Sequence, residues 1–193
     1  MSLIQNIKSS AGNYFLSEEV KSLNRSKMFV NMQDAKTVGI VFNATDSDDF
    51  ELVKKYITYL REMKKRVKAI GFYDQKNIPA LAYSKLEYDF FCRKDLTWYN
   101  APKSIYVKNF MDDQYDILLD LNMDDVFPLR YISSLSKASF KVGKKSDRNN
   151  SIFDLMIETT EGKGLKYFLR NIDTYLFIIN KKHDKQVTVN DLD

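Results

Sequence analysis

The hydrophobic pattern changes period several times along the chain. Residues 37–42 read Thr-Val-Gly-Ile-Val-Phe, a mostly apolar, β-branched run that predicts a strand buried on both faces. From Asp46 to Arg66 the pattern switches to a helical one, with Phe50, Val53, Ile57 and Leu60 recurring on one face. Acids crowd its first turn (Asp46, Asp48, Asp49, Glu51) and bases its last (Arg61, Lys64, Lys65, Arg66), as the helix dipole favours. Residues 67–73 form the next apolar run. Strand, long helix and strand in that order predict a βαβ unit with parallel strands and a right-handed crossover.

The same alternation continues. Residues 89–92 predict a short strand, 104–113 a helix, 115–121 a buried strand ending near a carboxylate, 124–137 a helix and 140–143 a strand. Residues 144–151 read as a solvated loop, 152–158 as a last strand and 164–183 as a long helix. At the other end, residues 2–26 predict helix interrupted at Gly12-Asn13, so one bent helix or two short ones. The expected architecture is α/β: three layers, a mostly parallel Rossmann-like sheet with helices on both faces. A helical segment over 1–30, a single α/β domain over 31–183 and a polar tail over 184–193 are the expected divisions.

Composition narrows the chemistry. The chain has 193 residues, 44% of them hydrophobic, enough for a sizeable core. One cysteine excludes an internal disulfide framework, and one histidine nearly excludes a His-rich metal site. No apolar run has the length of a signal peptide or a membrane helix, and Ser2 excludes N-myristoylation. The expected compartment is the cytoplasm, with no membrane partner.

In an open α/β sheet, ligands bind outside the carboxyl ends of the strands. Those positions hold Asn43, Thr45, Asp46, Ser47, Asp48 and Asp49 after the first strand, Asp74 after the second, and Asp120, Asn122, Asp124, Asp125 and Arg130 around the third long strand and its helix. The candidate ligand-binding set is Asn43, Thr45, Asp46, Ser47, Asp74, Asp120, Asn122 and Arg130. The edge is rich in carboxylates and lacks the glycines a pyrophosphate requires, so no nucleotide cofactor is expected there. Gly162-Lys163-Gly164 opens a helix, but the third glycine of the fingerprint falls at Tyr167 and the motif fails. Asp46, Asp74 and Asp120 define a sharper alternative, a Mg²⁺ site. Against it, capping and turn formation alone favour aspartate at such places: Asp46 or Ser47 at one helix, Asp124 at another. Neither a metal nor a cofactor is therefore assigned. Cys92 and His183 read as a core thiol and a helix-end base rather than a catalytic pair.

Two basic clusters, 61–68 and 141–148, lack interleaved aromatics and read as solvated faces rather than a nucleic-acid surface. Tyr83, Tyr88, Phe90, Phe91, Trp98, Tyr99, Tyr106 and Phe110 crowd one irregular stretch. It reads mainly as satellite core, and the part around Trp98 and Tyr99 is the expected place for a protein partner or homodimer contact.

Three phrases, residues 36–43 (KTVGIVFN), 93–99 (RKDLTWY) and 115–121 (YDILLDL), resemble an uncharacterised bacterial domain family of about this length, over residues 30–180. That resemblance implies a stand-alone α/β domain and transfers no activity. A shorter stretch, 115–143, is similar to the N-terminal domain of lipopolysaccharide heptosyltransferases, whose nucleotide-sugar half has no counterpart here. The catalytic aspartate of those enzymes finds no motif match around Asp46. The sequence thus describes a binding or interaction protein without a recognisable catalytic site. The alternative is a Mg²⁺-dependent enzyme acting on a phosphorylated or nucleotide-sugar substrate at the sheet edge.

Overall fold

A computed structural model describes residues 3–79, 88–160 and 162–178. Among them run α1 (Leu3–Ser22), β1 (Thr37–Asn43), α2 (Ser47–Glu62), β2 (Arg66–Tyr73), β3 (Asp89–Cys92), α3 (Ile105–Asp112), β4 (Ile117–Asp120), α4 (Phe127–Leu135), β5 (Phe140–Lys144), β6 (Leu155–Ile157) and α5 (Leu165–Ile178). The six strands form one sheet in the order β3-β2-β1-β4-β5-β6. All the pairings are parallel, so the sheet is fully rather than mostly parallel. The strand order reverses between β1 and β4, and the crevice beyond their carboxyl ends is the switch point of this topology.

Side-chain alternation along β1 sorts the core. Val38, Ile40 and Phe42 point to one face, where they pack with Ile57 and Leu60 of α2 and Phe168, Ile172 and Leu176 of α5. Val41 points to the other, with Ile70, Phe72 and Phe91, against Val107 and Phe110 of α3 and Leu129 and Ile132 of α4. Each fully buried aliphatic side chain contributes about 1.5–3 kcal/mol relative to exposure. The same parity sends Asp120 of β4 and Lys141 of β5 toward α4, with consequences for both.

Most elements are shorter than their apolar patterns. The helix expected over 124–137 runs only from Phe127 to Leu135, because Pro128 fits the first turn. Its N-cap is Val126, without a side-chain bond, so Asp124 does not cap it. The strand expected over 152–158 is reduced to three residues, since Phe153 leaves the ladder to pack its ring against Gly143. The helix over 164–183 starts at Leu165; its end, with His183, lies outside the described residues.

The N-terminal segment departs most clearly from expectation. It is one continuous helix, not interrupted at Gly12-Asn13. α1 lies on α4 outside the three-layer sandwich, and a Cβ at residue 12 would stand 2.7 Å from the Tyr99 carbonyl oxygen and 2.8 Å from the Phe127 ring. The glycine is there for close approach, at the intrinsic helix cost of roughly 1 kcal/mol. Leu16, Ala101, Tyr131 and Leu135 close this outer layer, and the Tyr131 hydroxyl donates to Glu19 at 2.6 Å. After α1 the chain is pinned by Arg25, whose guanidinium donates to the Ala138 and Ser139 carbonyls and pairs with Asp154.

Candidate functional site

The switch point holds a crevice of about 280 Å³. Its polar lining comes from the β1–α2 turn (Asn43, Thr45, Asp46, Asp49) and the loop after β4 (Asn122, Asp124). Phe42, Val53, Met123, Val126 and Leu165 form its apolar walls. The turn is built by its own side chains. Asn43 Oδ1 accepts from the Thr45 amide at 3.0 Å, and Asp46 Oδ1 accepts from the amides of Asp48 and Asp49, each at 2.9 Å. Asp46, not Ser47, is thus the N-cap of α2, and Ser47 does not line the crevice. Thr45 Oγ1 accepts from the Asp74 amide at 2.8 Å, tying the β1 turn to the end of β2.

Asp49 carries the electrostatic signature of the crevice. Burial raises its pKa above the ordinary carboxylate value, and the negative charges of Asp46, Asp124 and Asp48 raise it further. The same field repels an anionic ligand and attracts a cation.

Behind the crevice Asp120 is 6% exposed. It accepts from the Ser133 hydroxyl at 2.7 Å, the Asn122 amide at 3.1 Å and the Asn122 side-chain amide at 2.5 Å. Burial outweighs these three bonds and lifts its pKa to about 6. Because ionised Asp120 can only accept, the Asn122 NH₂ group must turn toward it. That leaves Asn122 Oδ1 buried, with no donor reaching it among the described residues.

The remaining expected residues go elsewhere. Asp74 accepts from Arg93 Nε at 2.6 Å and lines a separate cavity of about 680 Å³ between α1 and the ends of β2 and β3. Arg130 pairs with Asp125 at 2.8 Å, donates to Asn13 at 3.0 Å and lies over the Phe127 ring. Asp46, Asp74 and Asp120 therefore do not converge: one caps a helix, one holds an arginine, one is buried against Ser133. Among the described residues no group of three or more His, Cys, Asp or Glu is placed to hold a metal ion.

Asp49, Asp124 and the walls Met123 and Leu165 were outside the candidate set. The first two stood among the strand-end positions but had no pattern to select them, and the walls come from distant segments. The basic cluster 141–148 is corrected as well. Lys141 is 1% exposed, not solvated, while Lys145 pairs with Glu158 and Arg148 with Asp125. Cys92 is a buried core thiol. In the aromatic stretch Phe91 and Phe110 are core, whereas Trp98 is 59% exposed; Tyr83 lies outside the described residues.

Sheet order, glycine-free first turn and crevice together define a Rossmann-like α/β domain whose switch point is polar and acidic. The chain belongs to the family of unknown function DUF6913, whose sequence model matches residues 8–179. No curated protein and no solved structure matches it, so nothing supports the local likeness to heptosyltransferases. Among the described residues, no helix is long and apolar enough to cross a membrane.

Proposed function

We propose that the protein is a binding domain acting in the cytoplasm, and that its switch-point crevice takes a small organic cation, an ammonium or guanidinium group. One observation carries this reading: Asp46, Asp49 and Asp124 line one crevice and make it negative, so that their charges add to burial in raising the Asp49 pKa. Of the expected set, Asn43, Thr45, Asp46 and Asn122 line this site, with Asp120 orienting Asn122. Residues 31–183 supply the binding domain, and 1–30 add an outer layer to it.

The test uses 1,4-diaminobutane and its neutral counterpart 1,4-butanediol, titrated calorimetrically and followed by amide chemical shifts. The diamine binds, shifting amides of residues 43–49 and 122–124, and the diol does not. Asp49→Asn weakens diamine binding roughly tenfold, as expected for removing a partly buried opposite charge. Equal response to both probes, or none, would overturn the reading. The enzyme alternative has no converging carboxylates to support it.

A second reading concerns the surface around Trp98 and Tyr99. The rings of Tyr14, Phe15, Tyr99 and Trp98 form a chain of contacts at 5.6, 4.7 and 5.4 Å, with Trp98 and Tyr14 open to solvent. Large exposed aromatics in contact with one another fit a protein interface.

A further inference from the structure

α1 buries Gly12 and Leu16 on its inner side, and its outer side is the less expected one. At 100° per residue, Leu3, Ile4, Ile7, Ala11, Tyr14 and Phe15 fall in one stripe facing away from Gly12 and Leu16. Leu3, Ile4, Ile7, Tyr14 and Phe15 are all exposed. Such a stripe on a charged, 29% DEKR chain is not surface noise.

The spacing within the stripe is symmetric about the level of Ser9. Ile7 and Ala11 stand two residues either side, Ile4 and Tyr14 five, Leu3 and Phe15 six. We infer that this face binds a second copy of the chain, the two α1 helices packing antiparallel about a two-fold axis at Ser9. The inference rests on the reading of the Trp98–Tyr99 surface as an interface and names its occupant.

A two-fold antiparallel pair reverses level along the helix and keeps each residue on its own flank of the seam. Leu3, Ile7 and Tyr14 lie on one flank and Ile4, Ala11 and Phe15 on the other. Ile7 therefore meets Ala11 across the centre, Leu3 meets Tyr14 and Ile4 meets Phe15, and every apolar residue lands on an apolar one. All three pairings set an aliphatic residue against a residue of different size, which lets the layers interdigitate. Glu18 and Lys21 pair on their own helix at 2.6 Å, beyond the stripe.

The area is adequate. The stripe together with Trp98 exposes on the order of 600 Å², against about 800 Å² per partner in a standard-size interface. Trp98 touches Tyr99, which touches Phe15, so it extends the seam at the end where Ile4 of the second copy arrives.

The experiment measures the mass of the full chain by sedimentation between about 1 and 100 µM, a range matched to standard-size interfaces. The wild type is a dimer. Ile7→Glu, at an exposed position, raises the dissociation constant about 100-fold while the far-ultraviolet spectrum and melting temperature stay unchanged. Orientation is read by oxidative cross-linking, with the wild type, whose Cys92 is buried, as control. Ile7→Cys and Ala11→Cys chains cross-link when mixed, and neither does so alone. A wild type that is monomeric throughout overturns both the pairing and the interface reading. A dimer that survives Ile7→Glu but not Trp98→Glu overturns the α1 pairing alone and leaves the interface reading standing. Self-cross-linking of Ile7→Cys overturns the antiparallel arrangement.

Discussion

Lys141 reaches from the middle of β5 to the end of α4, its Nζ 2.8 Å from the Ser133 carbonyl oxygen and 2.8 Å from that of Ser134. A buried lysine thus occupies the place where a helix end normally meets water, and it satisfies two of the four terminal carbonyls. Burial, assisted by the nearby charge of Arg25, lowers its pKa from 10.5 to about 7. In the unfolded chain the group stays protonated to much higher pH. Between about 7 and 10.5 the unfolded state therefore binds more protons, and this residue makes stability rise with pH. We expect the melting temperature of the wild type, relative to Lys141→Met, to climb by roughly 5 °C or more between pH 6.5 and 9.5. Parallel curves for the two proteins would show that Lys141 does not titrate in this range.

Asp120 gives the opposite slope in a lower window. Its folded pKa of about 6 exceeds the ordinary 3.8, so its contribution is complete below 3.8 and lost as pH rises through 6. Relative to Asp120→Asn, the wild type should lose on the order of 2–3 kcal/mol between pH 3.8 and 6.5, measured by urea unfolding at each pH. The amide keeps the Ser133 and Asn122 partners, so the variant isolates charge from shape. A difference that stays constant with pH would contradict the raised pKa.

Arg25 joins three segments through one guanidinium. Its side chain is 6% exposed and its partner Asp154 also accepts from the Lys141 amide at 2.8 Å. Arg25→Ala leaves two carbonyls without their donor and Asp154, its side chain 15% exposed, with only the more distant Lys27 at 3.7 Å as a cation, and should cost about 3 kcal/mol in chemical denaturation. Arg25→Lys, which cannot fork across all three acceptors, should recover less than half of that loss. Full recovery by lysine would mean that charge alone matters here.

Gly12→Ala tests the close contact of α1 with α4. The methyl group gains about 1 kcal/mol of helix propensity but meets a backbone oxygen and a ring edge, whose displacement costs about 1–3 kcal/mol. The net expectation is a loss near 1 kcal/mol, accompanied by quenching changes at Trp98, which follows Tyr99 when that loop moves. A stabilised variant would show that the helix rides free of the Tyr99 loop.

Fold class was legible because each strand and helix carries its own period: β1 is an unbroken apolar run and α2 an unbroken stripe. Lengths were less legible where tertiary packing overrides local pattern, as when Phe153 leaves the strand to reach Gly143 or Pro128 sets where α4 begins. Gly12 was misread because a glycine that breaks a helix and one that admits a neighbouring backbone look identical in one dimension. The candidate site split for a related reason. Asn43, Thr45, Asp46 and Asn122 share a crevice because β1 and β4 are neighbours, whereas Asp74 sits across a turn where Arg93 claims it. Burial of Lys141 had no local sign, since its partners are backbone carbonyls contributed by another element.

The cap of α2 has an implication for how this fold is used. In a nucleotide-binding domain of this topology the first helix points bare amides at a guest phosphate. Here Asp46 is a resident anion, covalently part of the chain, sitting on the Asp48 and Asp49 amides where the guest would be. The helix dipole is spent internally, and the seat no longer offers bare amides to an anion. Adding glycines to this turn would not restore a phosphate site while Asp46 remains. A single aspartate thus fills the anion seat of an otherwise ordinary strand order.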